Sequence, residues 1–234
     1  MEDGKKMNNL NVIYEDNHII VVEKPYNVPV QEDSSSNIDM ITIIKEYLKK
    51  KYDKKGNVYL GLVHRLDRPV SGLMVFAKTS KAASRLSDSI RKNDFHKEYL
   101  AVVHGKVKNE DRLVDYISKN EKTFSSYIDN KNGKESILEY KLLYYDNKED
   151  VSLIKVNLIT GRHHQIRLQM SNINHPLYGD QRYGFQDKKQ IMLFAYKIRF
   201  NHPVKKEKIE FRLLPKWEII ENYKNKENLW KIYI

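Results

Sequence analysis

One short run in the 234-residue chain combines residue types that could do chemistry: His64-Arg65-Leu66-Asp67-Arg68-Pro69-Val70-Ser71-Gly72. Its carboxylate, Asp67, stands among His64, Arg65 and Arg68. Apolar stretches flank the cluster, Tyr59 to Val63 before it and Leu73 to Ala77 after it, and both read as strands. The charges therefore fall on a loop between two buried elements, restrained by Pro69 and Gly72. On residue types alone, an ion-paired surface turn fits equally well. As chemistry, an ionised carboxylate in such a place is a nucleophile or a base that needs no metal.

Other reactive side chains narrow the choice. The chain has no cysteine, which removes disulfides, zinc ribbons and thiolate catalysis together. It has neither a phosphate-binding Gly-Lys loop nor a dinucleotide-binding glycine motif. His163 and His164 invite a metal reading, with His175 nearby. Adjacent residues on a helix point about 100° apart, however, and no carboxylate completes a site at metal-motif spacing. The expectation is no metal and no cofactor.

The order of residues says more than their types. His64-Arg65-Leu66-Asp67 followed by Ser71-Gly72-Leu73 resembles the signature of the pseudouridine synthases of the RluA and RsuA type. Asp16-Asn17-His18-Ile19-Ile20-Val21-Val22-Glu23-Lys24-Pro25 looks like the first motif of that family, and Lys97-Glu98-Tyr99 like its Lys-x-Tyr strand. Thr160-Gly161-Arg162-His163-His164-Gln165-Ile166-Arg167, followed by His175-Pro176-Leu177-Tyr178-Gly179-Asp180, looks like its third block. The motifs stand in family order and run from about residue 13 to 200. Four positions depart from the pattern: Pro69-Val70 replaces a polar pair, Asn27 stands where glycine is common, and Phe194 stands where histidine is usual. Asn tolerates the left-handed backbone that glycine supplies. The resemblance is to the RluA-like branch, without the small N-terminal S4-type RNA-binding domain that many members carry.

The resemblance implies isomerisation of uridine to pseudouridine in structured ribosomal or transfer RNA. The bond from ribose C1′ to uracil N1 breaks and is remade to C5, with no redox change. Asp67 would be the catalytic carboxylate. Burial raises a carboxyl pKa and a guanidinium lowers it; Arg167, the family's Gln-x-Arg arginine, is the expected partner, with Arg162 as the runner-up. The uridine must leave its stack to be reached. Tyr99 would stack on the flipped base and assist proton removal from C5. Arg65 would fill the gap the base leaves or contact phosphate, and His64, Arg68, Arg162, His164 and Gln165 would contact RNA or substrate. Leu193 would form an apolar wall. Two rival readings remain: an RNA-binding protein on the same scaffold that has lost its chemistry, and a two-carboxylate glycosidase using Asp67 with Asp180.

These residues must be positioned by a body of strands. Strands are expected at Ile13–Tyr14, His18–Val22, Glu98–Val103, Ile191–Phe200 and Ile209–Leu213, with mostly extended chain from Arg112 to Leu158. Hairpin signals fall at Asn130-Lys131-Asn132-Gly133 and Asp146-Asn147. Helices are expected after Asn37 or Ser36 (Ile38, Ile41, Ile44, Leu48), after Thr79 (Ala82, Ala83, Leu86, Ile90) and from Thr160-Gly161-Arg162 (Ile166, Met170, Ile173). About three helices among many strands, not in strict alternation, predict an α+β fold: a mixed, mainly antiparallel sheet with flanking helices, as one catalytic domain over 1–234 with a disordered tail at 1–9. A formal charge of +11 favours a polyanionic partner. With no apolar run long enough for a membrane and no secretory signal, a cytoplasmic, monomeric RNA-binding enzyme is expected.

Overall fold

The computed structural model of the chain describes residues 10–33, 37–185 and 188–226, the last three without side chains. The expected tail at 1–9 and the helix cap Ser36 lie outside the described residues. The chain packs as two compact units, Met1–Phe95 with Ile198–Phe211, and His96–Lys197 with Arg212–Ile234.

In the first unit, β1 (Val12–Glu15) turns into β2 (Ile19–Lys24). Asp16 makes that turn, its Oδ1 accepting the N–H groups of His18 at 2.8 Å and Ile19 at 2.9 Å. An Asx-type turn of this kind satisfies backbone donors that a short connection would otherwise strand. The helix α1 (Met40–Lys51) follows, capped by Asp39, whose side chain accepts the N–H of Thr42. The cap thus falls two residues after Asn37, because Met40, Ile44 and Leu48 set the buried face. β3 is only Gly61–Leu62, and β4 (Ser71–Ala77) is buried along its whole length. β4 pairs antiparallel with β2, from Ile19 opposite Ala77 to Lys24 opposite Gly72, and with β3 at Phe76 and Ala77. α2 (Ser80–Arg91) is capped by Thr79 as its sequence predicts.

Glu15, buried at the end of β1, ties this unit together. Its carboxylate accepts from Lys78 at 2.6 Å, Lys51 at 2.7 Å and the Tyr52 hydroxyl at 2.7 Å, so β1, β4 and α1 share one anchor. Burial works against the charge, yet those donors hold the carboxyl down at about 2.

The second unit is a meander of long strands: β5 (His96–His104), β6 (Glu110–Asn120), β7 (Ser125–Ile128), β8 (Lys134–Asp146) and β9 (Val151–Leu158), laid out as β5-β9-β8-β6-β7 with antiparallel neighbours. The hairpin predicted at Asp146-Asn147 joins β8 to β9. Asn130-Lys131-Asn132-Gly133 is not a hairpin. The reversal after β6 comes at residues 121–124, and β7 and β8 then both meet β6 at Ile117, on its two edges. Residues 129–133 cross over β6 between them. Gly133 is what permits the crossing, since a Cβ there would lie 2.6 Å from the carbonyl carbon of Tyr116 and 2.7 Å from the nitrogen of Ile117.

α3 (Gln165–Asn172) buries Ile166 and Met170 as expected, while Ile173 is its C-cap. β10 (Leu193–Asn201) pairs with β11 (Lys208–Arg212). A fourth helix, α4 (Glu218–Lys226), was not foreseen; Ile219, Ile220 and Tyr223 form its buried stripe. The architecture is α+β with a mainly antiparallel sheet. No described helix is long and apolar enough to cross a membrane.

Candidate active site

Asp67 lies on the loop from β3 to β4, partly buried, with its carbonyl accepting the N–H of Val70 at 3.0 Å to close a four-residue turn. Leu66 and Val70 anchor the turn in the core. Three polar side chains hold it from other directions. The Lys24 ammonium, fully buried, donates to the carbonyls of Pro25 at 2.9 Å, Val28 at 2.8 Å and Arg68 at 2.9 Å. Ser71 donates its hydroxyl back to the carbonyl of Lys24 at 2.7 Å. Arg68 reaches the carbonyl of Asn27 at 3.2 Å, and Asn27 takes the left-handed conformation, φ 61°, expected of a residue standing in for glycine.

Burial, with Arg68 adding to the fall and Asp67 opposing it, leaves the Lys24 ammonium at about 7. Three carbonyl acceptors require three N–H donors, which only the charged amine has. A cation is therefore built in beside the turn that carries Asp67, and the sequence reading missed it. The signal was present: a lysine separated by one residue from the buried run Ile19 to Val22 and directly before Pro25.

His64 does not face outward. It is buried, its Nε2 accepts the N–H of Val75 at 3.1 Å, and its ring packs 5.3 Å from that of Phe95. The expected RNA contact is thus corrected to a positioning bond: β3 pairs with β4 only at Phe76 and Ala77, and the imidazole takes the next donor, Val75. Arg65 is exposed, and Arg68 is exposed beside Asp33 at 3.6 Å.

In the second unit, Tyr99 on β5 is buried, opposite Val156 of β9. Arg167 on α3 is 5% exposed, and its Nε and Nη2 bind the two oxygens of Asp180 at 2.8 Å and 2.7 Å. The N–H groups of Arg182 and Tyr183 reach the same carboxylate at 2.9 Å and 3.2 Å. Burial pushes the Asp180 carboxyl up, but the guanidinium and these donors outweigh it and leave it below its ordinary value. A carboxylate held charged in this way is no proton donor, so Asp180 cannot serve as the acid of a glycosidase pair. Its role is to fix the fork of Arg167, with the Tyr183 ring 5.3 Å from the guanidinium carbon.

Gln165 is also turned inward. Its Oε1 accepts from the Thr160 hydroxyl and the Arg162 N–H, both at 2.9 Å, and its Nε2 donates to Gln169 at 3.0 Å. It therefore shapes the loop before α3 in place of contacting RNA directly. His164 occupies the helix N-cap at φ 53°, its Nδ1 2.9 Å from the Tyr183 hydroxyl, while its ring stacks on His163. Arg162 is exposed and donates to the carbonyl of Glu135 at 3.1 Å. Leu193 is buried at the start of β10.

The profile of the RNA pseudouridylate synthase family matches residues 18–172, which contain the Asp67 turn, Tyr99 and Arg167. The chain belongs to that family. Curated relatives agree. An uncharacterized RNA pseudouridine synthase of Aquifex aeolicus is 34% identical over 217 residues, 87% of this chain and 69% of the relative. The ribosomal large subunit pseudouridine synthase C of Buchnera aphidicola is 33% identical over 214 residues, 85% of this chain and 64% of the relative. Synthase D of Yersinia pestis is 35% identical over 175 residues, 75% and 53%. The chain spans between 53% and 72% of the length of such relatives. Human RNA pseudouridylate synthase domain containing 1 shares the fold, with a TM-score of 0.74 at 23% identity over 92% of this chain and 86% of that one. Within the matched region the Asp67 turn is restrained by side chains of its own unit, Lys24, Ser71 and Arg68.

Proposed function

We propose that the protein isomerises specific uridines to pseudouridine in structured ribosomal or transfer RNA, with Asp67 as the catalytic carboxylate. The reading rests above all on Asp67 itself: a carboxylate on a turn whose neighbouring carbonyl is bound by a buried ammonium. Fixing a reactive group before substrate arrives removes the entropy of orienting it. Tyr99 stacks on the flipped uracil and takes part in proton removal from C5. Arg167, its fork fixed by Asp180, is the cation of the catalytic set, and Leu193 supplies an apolar wall. Arg65, Arg68, Arg162 and His164 grip the RNA, and Arg65 is suited to fill the space the base vacates. The described residues act as one catalytic domain, as a cytoplasmic monomer without metal or cofactor.

Bond accounting supports a site of this composition. The C1′–N1 bond breaks, the C1′–C5 bond forms, C5 loses a proton and N1 gains one. One carboxylate, one base for the C5 proton and a closed pocket suffice.

The test is tritium release from ribosomal and transfer RNA carrying 5-tritiated uridine. The native protein should release tritium. Asp67→Asn should release none while still binding RNA. Equal release by both proteins removes Asp67 from the mechanism; release by neither, with binding intact, identifies an RNA-binding protein that has lost the reaction.

A further inference from the structure

Lys97 has no role in the reaction as described so far, yet it stands two residues before Tyr99 on β5. Side chains alternate along a strand, so the two point to the same face, about 7 Å apart. In register, Lys97 faces Leu158 and Tyr99 faces Val156. The Lys97 ammonium lies against the loop before α3: a Cβ placed on Gly161 would come within 3.3 Å of its Nζ. Gly161 therefore leaves room for the cation. No hydrogen bond or ion pair engages that cation among the described residues. Burial alone acts on it, and lowers its pKa.

A desolvated ammonium without a partner costs free energy in the resting protein. The surface lysines of this chain, such as Lys108 and Lys119, take a carboxylate when one is near. A half-buried cation left unpaired is of use where negative charge appears during a reaction, since preorganised electrostatics act most strongly on charge that develops in the transition state.

We propose that the Lys97 ammonium binds the uracil carbonyl oxygens of the flipped nucleotide and stabilises the base as it turns anionic. This rests on the pseudouridine synthase reading above. Whether Asp67 attacks the sugar, attacks the base or removes a sugar proton, negative charge accumulates on uracil. If the C1′–N1 bond breaks heterolytically, its electron pair stays on the base, spread over N1, O2 and O4. If the base is attacked, an enolate forms at O4. Lys97 transfers no proton in either route. The base then turns, C5 supplies the pair for the new bond to C1′, C5 loses its proton and N1 gains one. A phosphate contact is the competing use of this cation. The place of Lys97 on the same strand face as Tyr99, with its Nζ against Gly161, favours the base.

Single-turnover rates on large-subunit ribosomal RNA transcripts containing uridine or 5-fluorouridine test this, read as loss of the original N-glycosidic nucleoside after digestion. Fluorine withdraws electrons and stabilises anionic uracil by itself. Lys97→Met should slow uridine turnover by roughly 10²- to 10³-fold, the usual cost of removing one preorganised donor. The loss on 5-fluorouridine should be much smaller. Gly161→Ala, which crowds the ammonium without deleting it, should show a weaker version of the same pattern. The thermal midpoint of Lys97→Met should match or exceed that of the native protein, because an unpaired buried charge has been removed. Equal losses on both RNAs, or a lowered midpoint, would make Lys97 structural and overturn the proposal. A loss confined to RNA affinity, with a shallower salt dependence, would assign it to phosphate and do the same. A native protein that converts neither ribosomal nor transfer RNA removes the synthase reading, and this proposal with it.

Discussion

The Nζ of Lys24 lies 2.9 Å from the carbonyl oxygen of Arg68, the residue that follows Asp67. A buried charge at the end of β2 and the turn bearing Asp67 are thus joined by a single bond within the first unit. Lys24→Met would strand three carbonyls that lose their donor. The expected result is destabilisation by a few kcal/mol, since each buried carbonyl left without a donor costs about 1–3 kcal/mol, with turnover falling further than RNA affinity. Lys24→Arg should not rescue it, because a planar fork cannot reproduce three converging N–H bonds. Thermal melting and tritium release, measured on the same preparations, check both statements.

Asp180 and Arg167 form the other built-in pair. Asp180→Asn leaves a buried guanidinium facing a neutral amide, and should cost about 3–5 kcal/mol of stability. Arg167→Lys should be nearly as harmful to turnover as Arg167→Met, since a point charge cannot span both oxygens of Asp180. Retention of near-native turnover in Arg167→Lys would show that charge alone is required of this residue.

Glu15 predicts how the protein meets acid. Its carboxyl sits at about 2 in the folded chain, below the usual 4.5. The folded state therefore binds fewer protons than the unfolded state between those values. The stabilisation is complete above pH 4.5 and is lost as pH falls through about 2. Because Lys51 is well exposed to water, screening limits the effect to the order of 1–2 kcal/mol. Glu15→Gln should flatten this part of the stability curve, as measured by urea unfolding across acidic pH.

His64→Leu tests the inward assignment of that imidazole. The Val75 N–H loses its acceptor inside the protein, which costs about 1–3 kcal/mol. RNA affinity of the folded fraction should not change. A fall in affinity with stability intact would return His64 to the RNA surface.

Much of this was legible in the residues, for identifiable reasons. The Asp67 turn could be placed because strongly apolar stretches flank it and only a loop accommodates the charges between them. Thr79 could be placed because a cap bonds within its own turn. What escaped depends on contacts distant in sequence. Nothing local says that Lys24 bends back to Arg68 or that Arg167 is gripped by Asp180. The turn signal at Asn130 to Gly133 was real but its meaning was tertiary: the glycine answers the backbone of β6, not a tight reversal. α4 was missed because its short stripe, Ile219, Ile220 and Tyr223, becomes a helix face only once there is a sheet to cover.

The crossing at Gly133 also governs how the rim of the second unit meets its surroundings. β7 is four residues long and lies along β6 only from Ile117 to Asn120, so no described strand pairs with that rim farther back. Bare rims of this kind are where copies of a chain zip together. Here the N–H of Arg112 is already taken by the Asp111 carboxylate at 2.9 Å, and residues 129–133 cross β6 at the end of β7. A strap laid across a sheet rim in this way works against edge-to-edge pairing of that rim with another strand.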